Sequence, residues 1–328
     1  MRYSSIPGLE QPVSCLALGG WLTLGEGVGD ADALRMLHAA FDAGVNMIDL
    51  ADVYADGAAE ALVGRFVREV DRERLVLASK VFWPTSEEPQ DRGLSRRHIH
   101  ASIDRTLYRL GVERLDLYYC HREDPSVPLA ETVEAMGDLV RAGKVAAWGT
   151  SCWRPRTLRA AHDLAHSGGH APPSVEQSPY NLLERWIEAE RLPCCRELGM
   201  ALVAFSPLAQ GALTGKYLGG RPAGSRGATS SWLDRYLEPA AEVAVRAFVG
   251  LCDERGIDPA AAALAWVVQR PGVQAAIFGA RNEAQLQQNL RAAEVSLDED
   301  FCRALDRVFR PRPRPLLRRI LSRLRLRT

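Results

Sequence analysis

The stretch Val45–Glu60, VNMIDLADVYADGAAE, decides how the rest of the chain is read. Val45 to Ile48 is an apolar, β-prone run that stops at Asp49. Tyr54 follows five residues later, and a helix-like segment with Glu60 and Gly64 comes next. The pattern is a strand whose C-terminal end hands a carboxylate and a phenol to a loop. Many buried strands end in Asp, so the pair gains weight only because the pattern recurs.

Upstream, Tyr3 to Val13 with the turn Pro7-Gly8 reads as a small hairpin, and Ser14 to Gly20, SCLALGG, as a short buried strand. Asp32 to Ala43 is an amphipathic helix closed by Gly44. Downstream, a helix around Ala59–Arg68 leads to the strand Leu75–Val81, with Lys80 at its end. Ser95 caps a helix that runs to Leu110 and stops at Gly111. Leu115–His121 is a strand ending in His, Leu129–Ala142 a helix, and Val145–Ser151 a strand ending in Ser. A helix from Pro155 to Ala165 precedes Ser174–Tyr180, which contains Gln177. Arg191–Leu198 is helical, and Ala201–Pro207 is a strand carrying Ser206. Leu208 to Pro239 is Gly-rich and has no clear period, and loops of this length are commonly functional. Helices Ala240–Arg255 and Pro259–Arg270, the strand Val273–Gly279, and the last regular helix, Asn282–Ala293, complete the pattern before Asp298–Arg310. Eight short strands alternating with helices imply a parallel sheet closed as an α/β (β/α)8 barrel, with an N-terminal β-hairpin. The competing reading is an open doubly wound sheet, but no GxGxxG follows the first strand.

Composition agrees. The 328 residues are 47% hydrophobic, enough for one large core, and a single barrel of residues 1–309 fits the length. Formal net charge is zero, so neither nucleic acid nor membrane is expected as a partner of the body. The last nineteen residues, 310–328, hold eight Arg and no acid, which leaves 33 basic against 41 acidic residues before them. Seven Cys without a CxxC exclude a disulfide framework and a zinc site and point to a reducing cytoplasm. No apolar run is long enough to span a bilayer.

In a β/α barrel the C-terminal strand ends meet at one face. Here they present Asp49, Lys80, His121, Ser151, Gln177, Ser206 and Arg281. The set suits proton transfer to a carbonyl oxygen. A free Tyr has a pKa of about 10, which a nearby ammonium lowers. Asp49 is expected to hold Lys80 charged, Lys80 to bring Tyr54 toward neutral pH, and His121 to orient the carbonyl. No activated nucleophile or metal set is present, so reduction needs a bound hydride donor.

These residues sit in stretches that resemble the aldo-keto reductases: Asp49…Tyr54, Ser79-Lys80, Tyr119…His121, GKVAAWGTS, VEQSPYNLLER, FSPLAQGALTGKY and FGARNEAQLQQN. KVFW, RGLSRRHI, WGTSCW and EQSPYNLLER are most similar to the voltage-gated potassium channel beta subunits and their bacterial relatives. The resemblance implies an NADP-dependent oxidoreductase with NADPH across the C-terminal face and a small carbonyl substrate. It makes Tyr54 the proton donor, with Asp49, Lys80 and His121 completing a tetrad. Ser151 and Gln177 would hold the nicotinamide carboxamide beside Cys152, and Phe205 would stack on the ring. Ser206, Pro207, Leu208, Gln210 and Lys216 would follow the pyrophosphate. Arg226, Gly279, Arg281, Gln285, Gln288 and Asn289 would surround the adenosine and its 2′-phosphate, and Trp21 would line the substrate side. Cys152 departs from the Asn of most reductases and the Arg of the channel subunits, Gly20 replaces a Thr, and Gln288 replaces a Glu. His121 is the reductase residue where the channel subunits have Asn. Two other functions stay open: a cofactor-sensing regulatory module, and a keto-sugar reductase.

The tail lies outside the resemblance. Arg310–Pro315 alternates Arg and Pro, which favours an extended spacer. Leu316, Leu317, Ile320, Leu321 and Leu324 then fall on one stripe of a short basic helix. An anionic membrane surface or a neighbouring subunit in a homo-oligomer is the partner that stripe suits.

Overall fold

The computed structural model describes residues 1–229 and 231–310, and the backbone alone at 226, 229 and 231. An antiparallel pair, β1 (Tyr3–Ser4) and β2 (Val13–Ser14), opens the chain. Eight strands follow: β3 (Leu16–Gly19), β4 (Met47–Asp49), β5 (Val76–Val81), β6 (Leu115–Cys120), β7 (Val145–Ser151), β8 (Val175–Pro179), β9 (Ala201–Phe205) and β10 (Ala275–Phe278). All pair in parallel with their chain neighbours, and β10 pairs with both β9 and β3, which closes the barrel. The open doubly wound sheet is thereby excluded. Ser14 belongs to the hairpin and not to the first barrel strand, because its N–H donates to Asn46 Oδ1 at 2.7 Å and its hydroxyl to the Leu16 carbonyl.

The helices form the outer layer: α1 (Asp30–Asp42), α2 (Ala58–Val67), α3 (Arg96–Leu110), α4 (Leu129–Arg141), α5 (Pro155–Gly168), α6 (Arg191–Glu197), the short α7 (Arg226–Thr229), α8 (Pro239–Asp253), α9 (Pro259–Val268), α10 (Glu283–Leu290) and α11 (Glu299–Val308). Their starts follow from side-chain caps. Ser95 accepts from the His98 N–H, Asp258 from Ala261, Asn282 from Gln285 and Asp298 from Phe301, each worth about 1 kcal/mol. α3 stops where Gly111 turns left-handed at φ +67°, a conformation that costs other residues about 1 kcal/mol or more.

Period-two alternation sorts the strands into two cores. Leu16, Leu18, Ile48, Leu77, Leu115, Leu202 and Phe278 face the helices. Ala17, Met47, Val76, Ala78, Leu117, Tyr119, Ala147, Val175, Ala201, Val203, Ala275 and Ile277 fill the barrel. Gly149 makes room there: a Cβ would come within 2.9 Å of the Tyr119 ring and 2.5 Å of Val175. The hairpin adds Ile6 and Val13 to the same interior cluster, so it plugs the barrel opposite the C-terminal rim. Counting two more residues along each inward-facing row reaches Asp49 after Met47, Lys80 after Ala78, and His121 after Tyr119. The same step reaches Ser151 after Gly149, Gln177 after Val175 and Phe205 after Val203. The alternation that buries the core therefore delivers the polar set to one rim.

Candidate active site

Asp49 and Lys80 meet on adjacent strands. Lys80 Nζ donates to Asp49 Oδ2 at 2.6 Å, to the Leu50 carbonyl at 2.5 Å and to the Tyr54 hydroxyl at 3.2 Å. Gln177 Nε2 donates to the other carboxylate oxygen of Asp49 at 2.7 Å. Asp49 and Gln177 are 128 residues apart in sequence, so only barrel closure makes this contact. Tyr54 is aimed by its loop: Ala55, Asp56 and Gly57 are all left-handed, at φ +48°, +51° and +90°. Such consecutive strain is held only where the surroundings fix it. The Tyr54 ring stands edge-on to His121 at 6.1 Å between centroids.

The charges do not all behave as the sequence suggests. Burial pushes the Tyr54 phenol above its ordinary value, and Lys80 offsets only part of that effect. The expected lowering by Lys80 is thus corrected: desolvation of a phenolate outweighs one ammonium. Lys80 itself is penalised by burial, but Asp49 and then Tyr54 outweigh it and hold its pKa above the ordinary value. His121 is held well below 6.5 by burial, with Lys80 and Arg122 adding repulsion, so its ring is neutral at pH 7. Neither His121 ring nitrogen makes a hydrogen bond among the described residues, and Nδ1 is buried. An unpartnered imidazole beside a phenol is free to receive a polar ligand atom.

The other residues expected at the site lie as follows. Ser151 lies at the end of β7, its hydroxyl 3.2 Å from Arg122 Nη1 and 3.9 Å from the Cys152 sulfur. Cys152 is left-handed at φ +61°. Gln177 has given its amide N–H to Asp49, which leaves its carbonyl for a ligand N–H. Phe205 is half-buried at the end of β9. Ser206, Ala209 and Gln210 are left-handed non-glycine residues in the next turn, and Gln210 Nε2 donates to Ser206 Oγ at 2.8 Å. Pro207 is buried there and Leu208 half-buried. Lys216 sits 5.2 Å over the Tyr217 ring.

Arg281 lies three residues past β10 rather than at its end, exposed, with its N–H to Gln285 Oε1 at 3.0 Å and Nη1 to the Gly224 carbonyl at 3.0 Å. Gln288 donates to Asp258 Oδ2 at 2.7 Å, and buried Asn289 donates to the Gly279 carbonyl at 3.3 Å. The Arg226 side chain and the basic tail stripe lie outside the described residues.

Among the described residues, the aperiodic segment after β9 folds into short helical turns at Ala209–Thr214, α7 and Ser231–Tyr236, and reaches the loop after β3. Trp232 reaches Trp21 of the loop after β3, with centroids 5.7 Å apart. At its far end Tyr236 and Arg235 both engage Glu184. Strained backbone, an amide carbonyl left open and a segment that packs on the loop after β3 fit an extended dinucleotide.

Three residues escaped the sequence reading. Arg122 directly follows His121, and Trp83 stands 6.1 Å from the His121 ring. Adjacency to a strand end was the available signal for both. Asp52, buried behind Tyr54, accepts from Ser102 at 2.7 Å and leaves Oδ1 without a partner. Its pKa is pushed up to about 7, first by burial and then by Glu60. Nothing in its immediate sequence distinguishes it from a surface Asp.

Comparison with known proteins agrees with the geometry. The model of the Aldo/keto reductase family matches residues 15–310. The chain is 37% identical over 302 residues to a probable voltage-gated potassium channel subunit beta of Arabidopsis thaliana, covering 90% of this chain and 92% of that protein. It is 35% identical over 319 residues to a putative voltage-gated potassium channel subunit beta of Schizosaccharomyces pombe, covering 94% and 92%.

Proposed function

The chain belongs to the aldo/keto reductase family, and we propose that it reduces an aldehyde or ketone to an alcohol, with NADPH as hydride donor and Tyr54 as proton donor. The observation that carries this reading is Lys80 Nζ standing between Asp49 Oδ2 at 2.6 Å and the Tyr54 hydroxyl at 3.2 Å. A bound reduced nicotinamide supplies a hydride to the carbonyl carbon. Ser151 and Gln177 would hold its carboxamide, Phe205 would stack on it, Ser206 to Lys216 would follow the pyrophosphate, and Arg281 would meet the 2′-phosphate.

The protein's own part is the proton. The raised pKa keeps the Tyr54 phenol protonated until a carbonyl oxygen gains charge. As that oxygen takes the proton, Lys80 stabilises the phenolate left behind, and Asp49 keeps Lys80 charged and in place. Neutral His121 donates a hydrogen bond to the same oxygen. Asp49 is buried and accepts from Lys80 through one oxygen and from Gln177 through the other, so it positions the ammonium.

Likeness to proteins named as channel beta subunits favours a second reading, an NADP(H)-binding regulatory module with slow turnover. His121 weighs against it. The seven cysteines, all free thiols, suit a reducing cytoplasm. The deciding experiment is loss of NADPH absorbance with a panel of reactive aldehydes. Turnover supports the reductase, and tight NADPH binding without turnover supports the module.

A further inference from the structure

We propose that Arg122 makes this site selective for carbonyl substrates that carry a carboxylate near the carbonyl; the inference rests on the reductase reading above. The guanidinium is held on one side only. Nη1 donates to the His121 carbonyl and to Ser151 Oγ, and its plane lies 5.8 Å over the Trp83 ring. Nε and Nη2 make no hydrogen bond among the described residues, and none of the guanidinium nitrogens is both buried and unpartnered. That edge is the fork that matches a carboxylate with two parallel N–H···O bonds.

Charge balance points the same way. Lys80 is matched by Asp49. The neighbouring acid Glu123 is taken by Arg154, and Asp124 accepts from the Leu94 and Ser126 N–H groups. Among the described residues no carboxylate makes an ion pair with Arg122, so the rim carries one unmatched positive charge beside the reacting groups. Its field reaches both Tyr54 and His121, whose titrations it lowers. An unmatched cation in a half-buried, low-dielectric site attracts an anion more strongly than one in water. Trp83, 39% exposed, stands edge-on to His121 and supplies an apolar wall along which the carbon skeleton runs between carbonyl and carboxylate. The redox step is unchanged: the carbonyl carbon gains a hydride, its oxygen gains the Tyr54 proton, NADPH becomes NADP+, and the carboxylate stays ionised.

The test compares 4-carboxybenzaldehyde with its neutral isostere 4-formylbenzamide, and glyceraldehyde 3-phosphate with glyceraldehyde, in wild type, Arg122→Gln and Arg122→Lys. Wild type is expected to favour the carboxylated aldehyde in kcat/KM by about ten- to hundredfold, the range of a charge-assisted pair. Arg122→Gln should bring the ratio close to one, while Arg122→Lys retains part of it with a steeper salt dependence. NADPH affinity, followed by fluorescence titration, should change less than about threefold. A ratio unmoved in Arg122→Gln overturns the proposal. So does a tenfold loss of NADPH affinity, which assigns the guanidinium to the cofactor, or a preference confined to the phosphate pair. Calorimetric binding of 4-carboxybenzaldehyde to the NADP+ complex is measured alongside. If wild type turns over neither aldehyde, the reductase reading fails, and binding lost in Arg122→Gln still decides whether Arg122 is a carboxylate site.

Discussion

The ammonium of Lys80 stands 2.6 Å from Asp49 Oδ2, and neither side chain has more than 5% of its surface exposed. Removing one member of such a pair leaves the other charged and unpaired in the interior, a change that commonly costs about 3–5 kcal/mol. Lys80→Met is therefore expected to lose both turnover and stability. Tyr54→Phe removes only a hydroxyl and should lose about 10²–10⁴-fold in kcat while melting and binding NADPH nearly as wild type does. Steady-state reduction of an aldehyde beside a thermal melt and a cofactor titration checks both. Wild-type turnover in Tyr54→Phe would falsify the assignment of the proton donor.

Cys152 is left-handed at φ +61°. Asn tolerates that conformation better than other non-glycine residues, because its short amide can bond locally. Cys152→Asn is expected to stabilise the fold by up to about 1 kcal/mol and to tighten NADPH binding by about two- to tenfold through one added neutral hydrogen bond. A mutant that melts lower and binds no better rules this out.

Asp52 is 2% exposed, and its pKa is pushed up to about 7. In the unfolded chain the carboxyl titrates near 3.8, so between those values the folded state keeps a proton that the unfolded state has released. Its contribution is complete below about pH 4 and is lost as pH rises through about 7, a difference of about 4 kcal/mol. Asp52→Asn carries no charge. It should melt several degrees above wild type at pH 8, with the gap shrinking toward pH 5. A gap that is flat across that range excludes an ionised buried Asp52.

Arg281 is exposed and already donates to the Gly224 carbonyl in the segment after β9. With NADPH bound, its guanidinium is expected to turn to the 2′-phosphate. Arg281→Ala should cut the preference for NADPH over NADH by about ten- to hundredfold. Fluorescence titration of both cofactors reads this directly, and equal affinities in wild type would rule out the assignment.

The eight Arg of residues 310–328 follow a body with 33 basic and 41 acidic residues. A chain ending at Phe309 is expected to keep its turnover on a soluble aldehyde and to lose binding to anionic vesicles or assembly into oligomers. Vesicle co-sedimentation and light scattering measure the loss. If both are unchanged, the tail is not an interaction segment.

The fold was legible because two periods dominate the sequence. Alternation in LVLASK and LDLYYCH sets which side chains point inward, and those same rows end in Lys80 and His121. Ser95, Asp258 and Gly111 punctuate the helices as their chemistry dictates. Energetic balances were not legible. That burial would outweigh Lys80 at Tyr54, or lift Asp52 to about 7, depends on how much water the packed loop excludes, which no spacing encodes. Arg281 lies past the strand end that IFGAR suggests, because an IFGA run does not mark where ladder pairing stops. The segment after β9 shows no period because its turns are short and held by distant partners, Trp232 on Trp21 and Tyr236 on Glu184.

The hairpin that brings Ile6 and Val13 under the barrel has a consequence for proton supply. Below Lys80 the interior is lined by Val76, Ala78, Leu117, Val175 and Val203, and the Tyr119 phenol among them is buried, with its pKa raised well above the ordinary value by burial. In the proposed reaction, a Tyr54 that has given up its proton would be recharged from the rim. The product would leave by that same rim, past the segment after β9. Recharging the donor and releasing the alcohol would then share one door, and slower movement of that segment would make both wait.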